Sequence, residues 1–236
     1  MAYFRTYSWY SPLMEGIVRQ KAHQPTKGKP LTRKDLRKLI KAIDAPHPVS
    51  SRDQALILVG YFGLLRRSEL VDIQIGHIKF ASNDASMTIT LPKSKTDQAR
   101  KGAALPYPRL DSDAADLCPV RALRAWLDIL RDDFSVTTGC VFRKVDQWGN
   151  LGETALTGQV VNLLVKQLAD AANIDPKSVS AHSALRAGMA TQLDADRVPF
   201  QLIKKAGRWK SDAVASGYIR RDDAELRDAL KHVGDG

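Results

Sequence analysis

Cysteine is nearly absent: Cys118 and Cys140 are the only two in 236 residues. Their spacing suits neither a metal site nor a disulfide framework, which fits a reducing cytoplasm. Histidine is scarce as well. The five histidines, at positions 23, 47, 77, 182 and 232, include no H-x-x-x-H pair and no His/Cys ligand pair, so no metal is expected. Neither a Walker A loop nor a dinucleotide glycine fingerprint occurs, so no other cofactor is expected either. No apolar run reaches the length of a membrane span, and the opening MAYFRTYSWYS lacks the pattern of a signal peptide. Internal repeats and low-complexity tracts are missing too. The expectation is a soluble cytoplasmic protein with no membrane partner.

Acidic residues are outnumbered, with 26 Asp and Glu against 36 Lys and Arg and a net charge of +10. That balance favours a polyanionic partner, nucleic acid first, and so a protein associated with the nucleoid. The length suits one large domain with a sizeable core, or one domain plus a remnant. Residues 1–29 differ from the rest. YFRTYSWY is aromatic, and SPLMEGIVRQKAHQPTKGKP passes from a short helical pattern into a Lys/Pro/Gly linker. One reading is aromatic and basic groups that track DNA. The favoured one is the last helix and linker of a preceding domain whose body is absent.

From residue 30 onward the pattern is mainly helical. Thr32 is a good N-cap for a helix carrying Leu36, Leu39, Ile40 and Ile43 at helical spacing. The run ALILVGYFGLL predicts a buried helix over roughly Ser51 to Gly63, and Ser68 is a candidate cap for a short helix after it. MTITL alternates, KSKTDQARKG is turn-prone and AALPYP returns, which predicts a small antiparallel sheet of two or three strands. CPVRALRAWLDIL is an amphipathic helix with Val120, Leu123, Trp126, Leu127 and Leu130 on its apolar side. CVFRKVDQWGNLG reads as a short buried strand and a turn, and TGQVVNLLVKQLADAANI as a helix capped by Thr157. Helices are expected around 184–195 and 199–206 and within DDAELRDALKHV. The fold class is mainly α with a small antiparallel β-sheet, α+β.

The chemistry concentrates in residues 181 to 220. His182 and Arg186 stand four apart, which places them on one helix face. A Gly-Arg-Trp turn follows at 207–209, and then Tyr218 flanked by Ile219 and Arg220. Arginine grips phosphate through a two-pronged fork, and tyrosine is among the few side chains that carry covalent intermediates. Together these residues suggest phosphoryl transfer through a protein nucleophile.

This stretch resembles the C-terminal half of the tyrosine recombinase (phage integrase) catalytic domain. AGRWKSDAVASGYIRRDDAELRDALKHVGDG is particularly similar to the end of the Cre-like members. The resemblance reaches upstream to about residue 30. It implies a DNA strand-breaking and rejoining enzyme and a division into 1–29, the linker or remnant of a core-binding domain, and 30–236, the catalytic domain with its C-terminal helix. It selects Arg66 in GLLRRSEL, three residues before its acidic partner Glu69, and pairs it with Arg186 as the phosphate clamp. Lys95 in PKSKTD resembles the hairpin general acid, with Lys93, Arg100 and Lys101 beside it as phosphate contacts. Arg208 and Lys210 join the expected DNA-binding set. Trp209, nine residues before Tyr218, stands where the family has His or Trp, and Tyr218 is the expected nucleophile, 32 residues after Arg186.

One position departs from the family. Its His stands three residues before the Arg; here that place holds Ser183, and His182 stands four before. His182 is the expected acid/base group, through a one-residue shift in the loop leading into the helix, with Ser183 as the alternative and a weaker hydrogen-bonding substitute. The implied partner is double-stranded DNA, bound by a homotetramer. The segment after Tyr218 would dock on a neighbouring protomer through Ala224, Leu226, Ala229, Leu230 and Val233. Two other functions stay open: a relaxing enzyme of the type IB topoisomerase kind, and a DNA-binding or regulatory protein that keeps the fold with impaired catalysis.

Overall fold

The computed structural model describes residues 28–45, 47–92, 102–146 and 148–220. A first helix, α1 (Arg33–Lys41), starts at Thr32 through a reciprocal cap. The Thr32 hydroxyl accepts from the Asp35 amide at 3.1 Å, and the Asp35 carboxylate accepts from the Thr32 amide at 3.3 Å. Leu36 and Leu39 point inward. The next helix, α2 (Val49–Phe62), is buried from Ala55 through Tyr61. From Ala55 to Phe62 it is apolar all round, so it forms the central pillar rather than a half-exposed face. Across it lies α4 (Pro119–Asp132), which buries Val120, Leu123, Trp126 and Leu130; the Trp126 indole N–H donates to the Val141 carbonyl at 2.9 Å. The capped helix α5 (Gly158–Ala171) adds Val161, Val165 and Leu168, with the Thr157 hydroxyl accepting from the Val160 amide. Between α2 and the sheet comes the short α3 (Arg67–Val71).

Three antiparallel strands, β1 (Ile78–Phe80), β2 (Ser86–Leu91) and β3 (Ala103–Pro108), pair in the order β1-β2-β3, with Ile89 opposite both Ile78 and Leu105. Met87, Ile89 and Leu91 alternate into the core, as a one-sided sheet requires. The stretch expected to hold one buried strand and a turn holds a hairpin, β4 (Arg143–Val145) and β5 (Leu151–Ala155). Its buried residues are Val141 and Phe142, just before the strand. Its turn is tied by Asp146, which accepts from the amides of Trp148 and Asn150 at 2.9 and 2.8 Å. These elements share the large hydrophobic core, and the expected fold class, mainly α with small antiparallel sheets, stands.

A second, smaller cluster lies beside it. Leu64, Ala190, Ile203, Trp209 and Ala215 are its buried members, and Leu193, Phe200, Tyr218 and Ile219 pack around them. It is built from α6 (Gly188–Ala195), α7 (Phe200–Ala206) and α8 (Asp212–Ser216), the last capped by the Ser211 hydroxyl. A π-wound turn, His182–Ala187, leads into α6 and carries Ala184 and Leu185 into the large core. At Gly188 the chain passes so close to Leu31 that an added Cβ would stand 2.7 Å from the Leu31 carbonyl oxygen. The two clusters therefore meet along the helix that holds His182 and Arg186.

Candidate active site

Arg66 opens α3 from the N-cap position, in extended backbone conformation. Ser68, the expected cap, lies inside the first turn; Glu69 does the capping instead. Its carboxylate accepts the Arg66 amide at 2.8 Å and the Arg66 guanidinium at 2.7 Å, which holds that side chain, 45% exposed, at the mouth of a cleft. Burial raises the Glu69 pKa, but Arg208, the Arg66 amide and the arginines 66 and 186 outweigh it and hold the carboxyl below its ordinary range. Glu69 is thus a fixed anion.

Arg186 is completely buried. One Nη donates to the Gly207 carbonyl, while the other stands 4.0 Å from Glu69. Among the described residues its Nε and Nη1 have no hydrogen-bond partner. Burial, with Arg66 nearby, pushes its pKa down to about 10, so the group remains a cation at neutral pH. A buried guanidinium with unused donors is expensive to keep without an anion. The Trp209 indole nitrogen is likewise buried and unpaired among the described residues. Trp209 stacks on Tyr218 with ring centroids 4.7 Å apart, and the Arg186 guanidinium lies 5.0 Å from the Trp209 ring centre and 5.2 Å from that of Tyr218. Gly207 leaves room for that indole, because a Cβ there would collide with it.

His182 meets Tyr218 directly, with its Nε2 2.8 Å from the phenol oxygen. The extra residue between His182 and Arg186 is absorbed within the helix, not in the loop before it: the turn His182–Ala187 is π-wound, and such widened turns accommodate one residue more than α-winding does. Ser183 lies inside that turn. Burial, then the positive charges of Arg186, Arg66 and Arg67, lower the His182 pKa, so the imidazole is neutral at neutral pH. With its proton on Nδ1 it accepts from the tyrosine hydroxyl.

The cleft beside these groups holds about 510 Å³ and is lined by Arg66, Glu69, Arg208, Trp209, Lys210, Leu91 at the end of β2 and Gly102 just before β3. Lys93, Lys95, Arg100 and Lys101 lie outside the described residues; Leu91 and Gly102 are the lining residues on either side of that segment. Lys210 is exposed on the rim. Arg208 has partners that the sequence does not show. Placed among the DNA-binding residues by sequence, it turns inward and gives its guanidinium to Glu69 and to the carbonyls of Gly63, Leu64 and Ala206.

Two positioning groups carry no sequence signal. The Asn162 side chain accepts from the Ala181 amide at 3.0 Å and fixes the start of the His182 turn. Thr191 accepts from the Arg220 amide at 3.0 Å and reaches the Tyr218 carbonyl at 3.5 Å, clasping the tyrosine segment to α6. Both depend on contacts between distant segments. Among the described residues no group of three or more His, Cys, Asp or Glu side chains is placed to hold a metal ion, and no helix is long and apolar enough to cross a membrane.

A helical domain with a small sheet and an Arg-His-Trp cradle around one tyrosine defines a recognisable class. In fold it is similar to the XerH site-specific recombinase bound to palindromic difH substrate, with TM-score 0.65 and 22% identity over 85% of this chain and 51% of that one. It is also similar to a lambda integrase dimer bound to a COC′ core site, with TM-score 0.61 and 17% identity over 92% of this chain and 56% of that one. The model of the phage integrase family matches residues 29–225, and the chain belongs to that family. An integrase/recombinase xerD homolog from Selenomonas ruminantium is 31% identical over 222 residues, 93% of this chain and 62% of that protein. The chain therefore spans less than two thirds of that relative.

Proposed function

We propose that this chain carries the catalytic domain, from about residue 30, of a site-specific DNA recombinase, with Tyr218 as its nucleophile. The observation that carries the reading is the 2.8 Å contact between Tyr218 and a neutral His182, beside a buried Arg186 with two unpaired nitrogens. The phenol gives its proton to His182 and its oxygen attacks the phosphorus. Arg66 and Arg186, with the Trp209 N–H, take up the charge that grows on the non-bridging oxygens; such preorganised donors contribute roughly 3–4 kcal/mol each to the transition state. The 5′-oxygen leaves as a hydroxyl with a proton from Lys95, a role that rests on the family resemblance. The product is a 3′-phosphotyrosyl bond, which a 5′-hydroxyl of a partner strand then attacks to regenerate a phosphodiester. No high-energy cofactor is consumed, because the bond energy stays in the phosphotyrosine.

Double-stranded DNA is the substrate this reading requires. The net charge of +10 supports it, as do the difH substrate and the core site held by the XerH and lambda integrase chains. A cytoplasmic, nucleoid-associated protein that works as a homotetramer and exchanges residues 221–236 between protomers completes the reading; that segment lies outside the described residues. Impaired catalysis was the reading favoured by the displaced histidine, and the π turn that brings His182 to Tyr218 weakens it.

Nicked DNA carrying candidate sites, incubated in EDTA with wild type and Tyr218→Phe, tests the proposal. The expected result is a denaturation-resistant protein–DNA adduct with wild type alone. No adduct on DNA that the protein binds would return the chain to the class of non-catalytic DNA-binding proteins. A wild-type enzyme that relaxes supercoils and never exchanges strands would make it a relaxing enzyme.

A further inference from the structure

We infer that Arg208 is a positioning residue: it occupies Glu69 and so leaves the Arg186 guanidinium free for the scissile phosphate. The inference rests on the catalytic reading above. Arg208 has a φ of +56°, a left-handed conformation that side-chain-bearing residues seldom adopt. Its side chain is only 17% exposed. One Nη donates to the carbonyls of Gly63 and Ala206 at 3.0 and 3.2 Å, the other to Leu64 at 3.2 Å and to Glu69 Oε2 at 2.9 Å. An unusual backbone conformation is thus combined with a side chain at the cleft wall whose two Nη groups are both bonded within the protein.

Glu69 Oε2 is where three groups converge. It accepts from the Arg66 amide at 2.8 Å and from Arg208 at 2.9 Å, and Arg186 Nη1 stops 4.0 Å away. A carboxylate oxygen offers about two lone-pair directions, and the first two donors fill them. Arg186 is held near the anion, close enough for its charge to be compensated, yet it is not hydrogen-bonded to it, and its Nε and Nη1 stay unpaired. Without the Arg208 guanidinium one lone pair is vacant, and a closure of about 1 Å would give Arg186 a charge-assisted bond to Glu69. Arg186 would then be neutralised by the protein and withdrawn from the phosphate. Arg208 also fastens the turn that carries Trp209 to the turn that carries Arg66, since Gly63 and Leu64 lie just before Arg66.

The test is a double-mutant cycle on adduct formation with nicked DNA, using Arg208→Gly and Glu69→Gln. Glycine adopts the left-handed backbone without steric cost, so the turn keeps its conformation. Arg208→Gly is expected to slow adduct formation at least tenfold while DNA affinity stays within about twofold. Adding Glu69→Gln is expected to restore at least fivefold of that loss, because a neutral amide does not capture Arg186. Arg208→Lys, which keeps a charge on Glu69 and loses the fork, should fall between wild type and Arg208→Gly. A merely structural role gives the opposite pattern, with the double variant slower than either single one. Arg208→Gly reacting at the wild-type rate, or a double variant slower than Arg208→Gly, overturns the inference and leaves the catalytic reading standing. A wild type that binds DNA and forms no adduct overturns both.

Discussion

The large core and the small cluster bury side chains equally well and differ in what they are for. The large core spans α1, α2, α4, α5 and both sheets, and its centre, α2, has no exposed face. Among the described residues the small cluster has five buried members, most of them on short helices and a tight turn. Its buried indole keeps an unpaired nitrogen, and it presents Tyr218 half-buried at its edge. The catalytic candidates divide along the same line, with Arg66 and His182 on the large-core side and Trp209 and Tyr218 in the small cluster. Arg186 lies between them, bonded to Gly207 and facing Glu69. The large core supplies rigidity. The proposed chemistry lies at the seam, whose geometry depends on how the smaller body is held.

The largest effect should come from the large core. Trp126→Ala, which empties a fully buried site and removes the bond to Val141, should cost about 3–5 kcal/mol and lower the midpoint of one cooperative unfolding transition. Ile203→Ala in the small cluster should act more locally, with faster hydrogen exchange in α7 and α8 and unchanged protection in α2. Equal loss of protection in both regions would show that the two clusters unfold as one unit.

At the seam the balance reverses. Arg186→Met should slow adduct formation by about 10²–10³, yet leave thermal stability unchanged or raised, because it removes a buried cation with two unpaired nitrogens. A large drop in stability would make Arg186 a structural ion instead.

His182 gives a pH test with a definite sign. Its pKa is lowered by burial first and by Arg186, Arg66 and Arg67 next. Adduct formation should therefore rise with pH and reach half its plateau below about 6.5, the ordinary histidine value; His182→Gln should lose that limb. The unfolded chain binds this proton more readily than the folded one. The stability contributed by the neutral form is thus full above about pH 6.5 and is lost as pH falls toward the lowered folded value, and the variant should lose that slope.

The smallest effect concerns the clasp. Thr191→Val removes the hydroxyl that holds the Arg220 amide and reaches the Tyr218 carbonyl. A hydrogen bond of this kind contributes about 1 kcal/mol, so adduct formation should slow roughly fivefold with little change in DNA affinity.

Local signals carried far in this sequence. The Thr32 and Thr157 caps, the buried α2, the apolar side of α4 and the alternation of β2 are all written in short-range pattern, and the structure has them where the pattern puts them. What escaped was set by distant contacts. β5 has no fully buried residue and shows no alternation to find. Ser68 has the chemistry of a cap, but Glu69, already fixed by Arg208, reaches the Arg66 amide from within the helix. A one-residue change in the His–Arg spacing is visible in sequence, whereas the π turn that absorbs it is a property of packing. Arg208 reads as one more exposed cation, and only the positions of Gly63, Leu64 and Glu69 show why it points inward.

The central claim is that one particular oxygen, on Tyr218, bonds to DNA. The most direct measurement is to trap the adduct on nicked DNA, digest protein and DNA, and locate the residual nucleotide by mass spectrometry. The account predicts a phosphodiester on the peptide containing Tyr218, joined to a 3′ end. A nucleotide carried by another residue, or one joined through its 5′ end, would contradict it.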